Sequence, residues 1–295
     1  MLQQQLEMTL DKLSNDEFDG LTIDEAWIEE AGEEFKAALR KQLTPQEEGF
    51  RLRMSNVGKP LCQLQHGAMG SEKKRKNYNF KIQMLIGDAV ECIANIMLKI
   101  AGANITGGKN QVELKIGETV VKGEDDIEID HKIYDVKSCS PWAFDNKWSK
   151  GYSGLKESDD FGYVGQLTGY AQAQEKELGG WIVVNKSDGR IKIVEAETSK
   201  TEIAMNLFMI GHNIDQVNRK TPLARQFEPI VDKFRGKPTG LKRLGKTCEF
   251  CDYIKACYPT AKLMAHPKSE AKNPPMYWFI EDSDATEDPI GKSQG

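Results

Sequence analysis

The stretch Val121 to Ser138, VKGEDDIEIDHKIYDVKS, holds acids and a lysine at spacings that could do chemistry. Ile127 and Ile129 alternate with Asp126 and Glu128, and Tyr134 and Val136 alternate with Asp135 and Lys137. Strand side chains point alternately to opposite faces, so the segment reads as two short strands joined by a tight turn. Strand parity then puts Asp126, Asp135 and Lys137 on one face and sends Asp125 to the other. Glu128 shares the polar face. A turn centred on His131 and Lys132 would set it opposite Asp135, a like-charge pair that favours a nearby cation or a different register. A further acid, Glu91, lies between Val90 and Cys92 in an apolar stretch, where a carboxylate is costly unless paired or metal-bound. Gly87 lies one helical turn before it, on the same face. Glu91, Asp126 and Asp135 together offer the oxygen donors that Mg²⁺ or Mn²⁺ prefers. Lys137 could orient a water or steady charge on a phosphate, and one or two divalent ions could activate that water. Taken alone, a D-x-K triplet reads first as the solvated face of an edge hairpin.

A second group is made of cysteines. Cys248, Cys251 and Cys257 have C-x2-C-x5-C spacing, and Cys62 lies far upstream. A C-x2-C lets two thiolates reach one centre, so three clustered cysteines and one distant one could form a four-thiolate site for zinc or an iron–sulfur cluster. Cys92, inside an apolar helix, and Cys139, beside the acid-bearing strand, read as non-ligands, and His66, a conceivable ligand, reads first as a loop or DNA-facing residue. The stretch from Ser138 to Asp160 interleaves Trp142, Phe144, Trp148 and Tyr152 with Lys147, Lys150 and Lys156. Such a loop can stack bases and bind phosphates of a single strand, or pack its tryptophans against the domain.

The elements that must position these groups follow from pattern and punctuation. Residues 80–100 predict a helix with Ile82, Ile86, Ala89, Val90, Ile93, Met97 and Ile100 as its apolar stripe, ending at Gly102. Residues 111–121 predict two strands around a Gly-Glu turn. A helix is expected from Phe161 to Leu178, stopped by Gly179 and Gly180. A hairpin follows over 181–195, then a helix over 198–218. Residues 219–246 are basic and poorly periodic. This order predicts an α/β fold, a mixed β-sheet flanked by helices.

At 295 residues the chain can form one large domain with appendages. Residues 1–43 read as an acidic helical segment with eleven acids and four bases. Residues 50–82 hold eight bases and one acid, so a net charge of −5 conceals a local basic surface suited to nucleic acid. Residues 44–263 read as the main domain and 264–295 as a weakly structured acidic tail. The chain has no apolar run of membrane-spanning length and no secretory pattern at its start. The expectation is therefore a cytoplasmic protein with no membrane partner and with reduced cysteines.

The motifs in order resemble the PD-(D/E)xK nucleases, specifically the RecB-type branch. That branch carries a helical Gly with a downstream acid, a G-x-x-D, a D/E-x-K and a Q-x-x-x-Y. Here these match Gly87 and Glu91, Gly123 to Asp126, Asp135 to Lys137, and Gln166 to Tyr170. The flanking cysteines, one before and three after, resemble the iron–sulfur subgroup, which includes the AddB nuclease domain and CRISPR-associated relatives. The resemblance implies a restriction-endonuclease-like core and a metal-dependent DNA exonuclease. Glu91, Asp126 and Asp135 would bind Mg²⁺ or Mn²⁺, with the Val136 carbonyl as a further candidate ligand, and Lys137 would be the catalytic lysine. Gln166 and Tyr170 would contact DNA or support the site, with Trp142, Trp148 and Lys147 as candidate DNA contacts. Cys62, Cys248, Cys251 and Cys257 would hold a structural [4Fe-4S] cluster that staples the C-terminal region to the core, with zinc the competing occupant. The implied partners are DNA with free ends or single strands, and proteins of recombination or replication; a homo-oligomer is compatible. The rivals are a non-catalytic DNA-end-binding subunit and an endonuclease. A bacterial cytoplasm, or that of a virus's host, is the expected setting.

Overall fold

The structure is a computed structural model that describes residues 1–45 and 49–280. Five helices open the chain: α1 (Leu2–Ser14), α2 (Glu25–Leu43), α3 (Met54–Val57), α4 (Leu61–Ala68) and α5 (Phe80–Ile100). Then come β1 (Ile105–Gly107), β2 (Gln111–Ile116), β3 (Thr119–Glu124), β4 (Ile127–Ile129) and β5 (Lys132–Cys139). Helices α6 (Pro141–Asn146), α7 (Tyr152–Glu157) and α8 (Tyr163–Ala173) lead into β6 (Glu177–Asn185), β7 (Ile191–Glu195) and α9 (Lys200–Asn218). The remainder holds β8 (Ile230–Phe234), β9 (Lys237–Arg243), α10 (Lys246–Glu249), α11 (Ile254–Cys257), β10 (Lys262–Ala265) and β11 (Met276–Ile280).

The fold is α/β, with a mixed central sheet flanked by helices. Its order is β1-β4-β5-β6-β7, antiparallel throughout except for the parallel pair β5–β6. The unbroken run Trp181 to Val184 has the composition of a strand covered on both faces. On one face, Ile133, Trp181 and Val183 pack with Leu155, Leu167, Tyr170, Ile210 and Ile214 from α7, α8 and α9. On the other, Ile127, Tyr134, Val136 and Ile182 pack with Leu6 of α1 and Ala94 and Leu98 of α5. Fully burying each such side chain contributes roughly 1.5–3 kcal/mol. The strands β2 and β3 form a separate hairpin, and β10-β11-β9-β8 a C-terminal sheet.

Several expectations change here. The turn between β4 and β5 is centred on Asp130 and His131, both with positive φ, one residue earlier than the sequence suggests. Two left-handed residues form the turn whose twist matches a hairpin. Glu128 therefore pairs with Ile133, not Asp135. The stripe of α5 is rotated from the expected one: Ile82, Ile86 and Ile93 are exposed, whereas Ala94 and Leu98 join the expected Ile100 in burial. The expected long loop after Ser138 contains α6 and α7. Helix α8 stops at Ala173, and Gly179 and Gly180 lie inside β6. Residues 230–243 form a hairpin, and 276–280 of the expected tail form a strand; residues 281–295 of that tail lie outside the described residues.

Candidate active site

Asp126 lies in the two-residue connection between β3 and β4, not on a strand, and Asp135 and Lys137 lie on β5. The main-chain N–H of Val136 donates to Asp126 Oδ2 at 2.8 Å, which brings the first carboxylate alongside the other two groups. Asp135 is 2% exposed, and Lys137 Nζ sits 2.5 Å from its Oδ2. That oxygen receives no well-directed hydrogen bond, so the contact is an ion pair with acceptor capacity to spare. Burial pushes the Asp135 carboxyl up to about 7; Lys137 opposes the shift and the nearby Asp126 adds to it. Burial also works against the charge on Lys137, but Asp135 and Asp126 outweigh it and hold the ammonium above its usual range. Two carboxylates crowded at one buried point are an arrangement that a cation would relieve.

Glu91 does not join them directly. Its carboxylate forms an ion pair with Lys109, a residue at positive φ in the turn Gly107-Gly108-Lys109-Asn110. Sequence reasoning missed Lys109; the paired glycines marking a turn beside β2 were the available signal. Gly87 does not serve close packing: a methyl there would meet only Ser138 Oγ, at an ordinary 3.8 Å. Glu91 and Lys109 open into a cleft of about 1090 Å³ that is also lined by Glu34 of α2, Arg51, Arg53 and Lys122. A neighbouring cleft of about 440 Å³ runs from Trp27 and Glu30 of α2 past Lys109 to Asp126. The acidic helix α2, none of whose residues is buried, thus roofs the approach to Glu91 and Asp126.

The other acids of the stretch have structural partners. Asp125 is buried and accepts from Asn110 N at 2.6 Å and Gln174 Nε2 at 3.0 Å, bracing the connection that presents Asp126. Glu128 is buried against Lys176 and accepts from Thr106 Oγ1 at 2.8 Å. Burial raises its pKa, but these partners outweigh burial and hold the carboxyl below its usual range. It is therefore a paired structural carboxylate.

Gln166 and Tyr170 lie one turn apart on α8. The Tyr170 phenol is raised mainly by burial, then by Asp126 and Asp135, which places it beside the carboxylates. Gly123 makes this approach feasible. A Cβ there would lie 2.5 Å from Met54 Cβ and 3.1 Å from Tyr170 Oη, so no larger residue fits without movement.

The aromatic–lysine segment divides in two. Trp148 is buried and packs against Tyr163 and Trp181, ring centroids 5.8 and 6.1 Å away, so it belongs to the core and offers no face to a base. Trp142 is 58% exposed. Lys147 Nζ lies 5.6 Å from the Tyr163 ring, and Lys137 Nζ lies 5.5 Å from the same ring. Tyr163 was not singled out in the sequence; its motif, one helical turn before Gln166, was the available signal.

Cys62 lies on α4, Cys248 on α10 and Cys257 on α11, with Cys251 between the last two. Burial pushes the Cys62 thiol up to about 11 and the Cys248 thiol to about 12, and each is raised further by Cys251 and Cys257. The four sulfurs therefore share one neighbourhood, whereas Cys92 is raised by burial and Glu34, outside it. The C-terminal segment is fastened to the rest of the chain by polar and ring contacts. Lys74 N donates to Asp252 O at 2.7 Å, His66 stacks on Tyr253 with centroids 5.5 Å apart, and Thr247 Oγ1 donates to Asp160 Oδ1 at 2.7 Å. Among the described residues, no three or more His, Cys, Asp or Glu are set as they would be around a metal ion. None of the described helices is long and apolar enough to cross a membrane.

No family model matches the chain, and no curated protein matches it. Among solved structures it is similar to one titled "Crystal structure of SSO0001", at 14% identity and a TM-score of 0.40 over 76% of this chain and 93% of that one. A likeness at that level carries no functional weight.

Proposed function

We propose that this chain is a metal-dependent DNA nuclease with a restriction-endonuclease-like core, acting as an exonuclease. The observation that carries the reading is the buried Asp135, paired with Lys137 and crowded by Asp126. A merely structural ion pair has no need of a second carboxylate beside it. Asp126 and Asp135, with Glu91 once released from Lys109 and with the Val136 carbonyl, would hold Mg²⁺ or Mn²⁺. A divalent ion bound there supplies activation of water and stabilisation of the leaving oxygen. Lys137 keeps its proton and faces the scissile phosphate or the attacking water. Tyr170 borders the same point. Exonuclease is preferred over endonuclease on the family resemblance alone.

The test is hydrolysis of end-labelled linear DNA against closed circular DNA with Mg²⁺ or Mn²⁺. Asp135→Ala and Lys137→Ala should abolish cleavage while the fold persists. Unchanged activity in both variants would sink the assignment, and cleavage of closed circles would identify an endonuclease.

Cys62, Cys248, Cys251 and Cys257 would hold a structural [4Fe-4S] cluster. Their shared neighbourhood supports this reading. Iron and sulfide analysis of anaerobically purified protein tests it, and one zinc with no iron would overturn it. A second reading, a non-catalytic DNA-end binder, draws on the capture of Glu91 by Lys109. DNA retention without cleavage under every divalent metal would favour it.

A further inference from the structure

Helix α2 lies antiparallel along α5. Near its end Gln42 Nε2 donates to Asp88 Oδ2 at 3.0 Å, in its middle Glu34 borders Cys92, and nearer its start Glu30 pairs with Lys99. Along this seam α2 forms one wall of both clefts that lead to the proposed metal ligands. Trp27, Glu30 and Ala31 face the cleft that ends at Asp126, and Ala37 and Ala38 face the one that holds Glu91. The Glu91 side chain is left 23% exposed.

The seam is weakly made. None of the 19 residues of α2 is buried, whereas neighbouring α1 is anchored by the fully buried Leu6. Glu30 is 53% exposed where it meets Lys99, and ion pairs in such settings contribute little. Asn95 Oδ1, buried at the seam, has no hydrogen-bond partner among the described residues. An unpaired buried acceptor is costly, and water satisfies it once the seam opens. The helix itself needs little help from α5. Asp24 caps it by accepting from Ala26 N at 2.9 Å, and its length exceeds the roughly 12–15 residues below which isolated helices are marginal. Gly20, at a φ of 76° and with open space where a Cβ would lie, sits in the connection to α1. These features let α2 leave α5 as a unit.

We propose that α2 is an autoinhibitory cover, closed in this structure, which must swing off α5 before a substrate reaches Glu91 and Asp126. What the cover controls rests on the nuclease reading, but its opening does not. The stretch Glu25 to Glu34 carries five glutamates, so the closed helix sets negative charge at the entrance and repels phosphates. Beneath it, Lys109 keeps Glu91 engaged. Salt screens the Glu30–Lys99 pair and therefore favours opening.

Cys92 reports the movement. It is 8% exposed, and burial pushes its thiol up to about 11, with Glu34 adding to the shift. Both effects slow alkylation while α2 is closed. Peptide-resolved mass spectrometry of the full chain measures the alkylation rate of Cys92, and circular dichroism checks each variant's fold. The double variant Glu30→Ala, Gln42→Ala should react about tenfold faster than wild type, the loss of one exposed ion pair and one hydrogen bond. Conversely, Glu34→Cys joined to Cys92 by a short bis-maleimide locks the cover. The locked protein should lose at least about tenfold in Mg²⁺-dependent cleavage of linear DNA, whereas Glu34→Cys, Cys92→Ser given the same reagent should not. Equal Cys92 rates in wild type and the double variant, failure of the cross-link to form, or cleavage unaffected by the lock overturns the proposal. A protein whose Cys92 rates shift as expected yet which cleaves no DNA keeps the cover and loses the nuclease reading. A protein that cleaves equally well locked and unlocked does the reverse.

Discussion

Asp126 is held to Val136, its carboxylate accepting the main-chain N–H that lies between Asp135 and Lys137. The bond takes one lone pair of a loop carboxylate and fixes its distance from the strand. Hydrogen bonds to charged groups contribute about 1.5–3 kcal/mol. Asp126→Ala should therefore lose stability of that order in urea unfolding, and Asp126→Asn, which can still accept from Val136, should lose less. Equal losses would show that the bond does not carry the position.

Lys109 occupies the carboxylate that the proposed metal site needs. Removing it leaves Glu91 without its cation and free to turn towards one. Lys109→Ala should tighten Mn²⁺ binding in calorimetric titration by several-fold, and Glu91→Gln should weaken it. Identical affinities in wild type and both variants would remove Glu91 from the ligand set.

The proposed cluster would join α4 to the segment after β9, two regions far apart in sequence. A metal held there cross-links a long loop, and its binding energy is folding energy. Cys251→Ala should lower the melting temperature by many degrees and abolish any visible absorbance, while Cys92→Ala should leave the absorbance unchanged. Loss of colour in Cys92→Ala would redraw the ligand set.

In the C-terminal sheet, buried Asp232 accepts from Thr239 Oγ1, meets His266 Nε2 at 3.0 Å and pairs with Arg243 Nε at 3.1 Å. Burial raises its carboxyl, but Thr239, His266 and Arg243 outweigh it and hold the pKa below the usual carboxylate range. A depressed acid binds its proton less readily in the folded than in the unfolded chain. Its contribution is complete above about pH 4–5 and is lost as pH falls through the lower folded value. Asp232→Asn should destabilise by about 3–5 kcal/mol at neutral pH, as expected for a broken buried pair. The gap from wild type should narrow between pH 5 and pH 3. A gap independent of pH would contradict the assignment.

Much of this was legible because it is local. The helix over Phe80–Ile100 and the β2–β3 hairpin follow from short-range periodicity and turn residues. The expected common face of Asp135 and Lys137 needs only the period of a strand. The rest depended on partners from elsewhere in the chain. Trp148 reads like Trp142 in the sequence, yet one meets Trp181 in the core and the other meets solvent and Lys246. The exposed isoleucines of α5 reflect the same limit. Helical period defines a stripe, but its rotation was set by the sheet and by α2.

The sequence by itself determined an α/β order of elements, an Asp–Val–Lys triplet on a strand and a C-x2-C pair spaced to reach one centre, because residue type and short-range geometry suffice for these. Tertiary structure alone decided that both faces of β5 are covered, that Glu128 answers Lys176 and that Lys109 holds Glu91. Charge pairing and burial depend on distances between residues that the chain separates by tens of positions. No local pattern encodes which opposite charge arrives first.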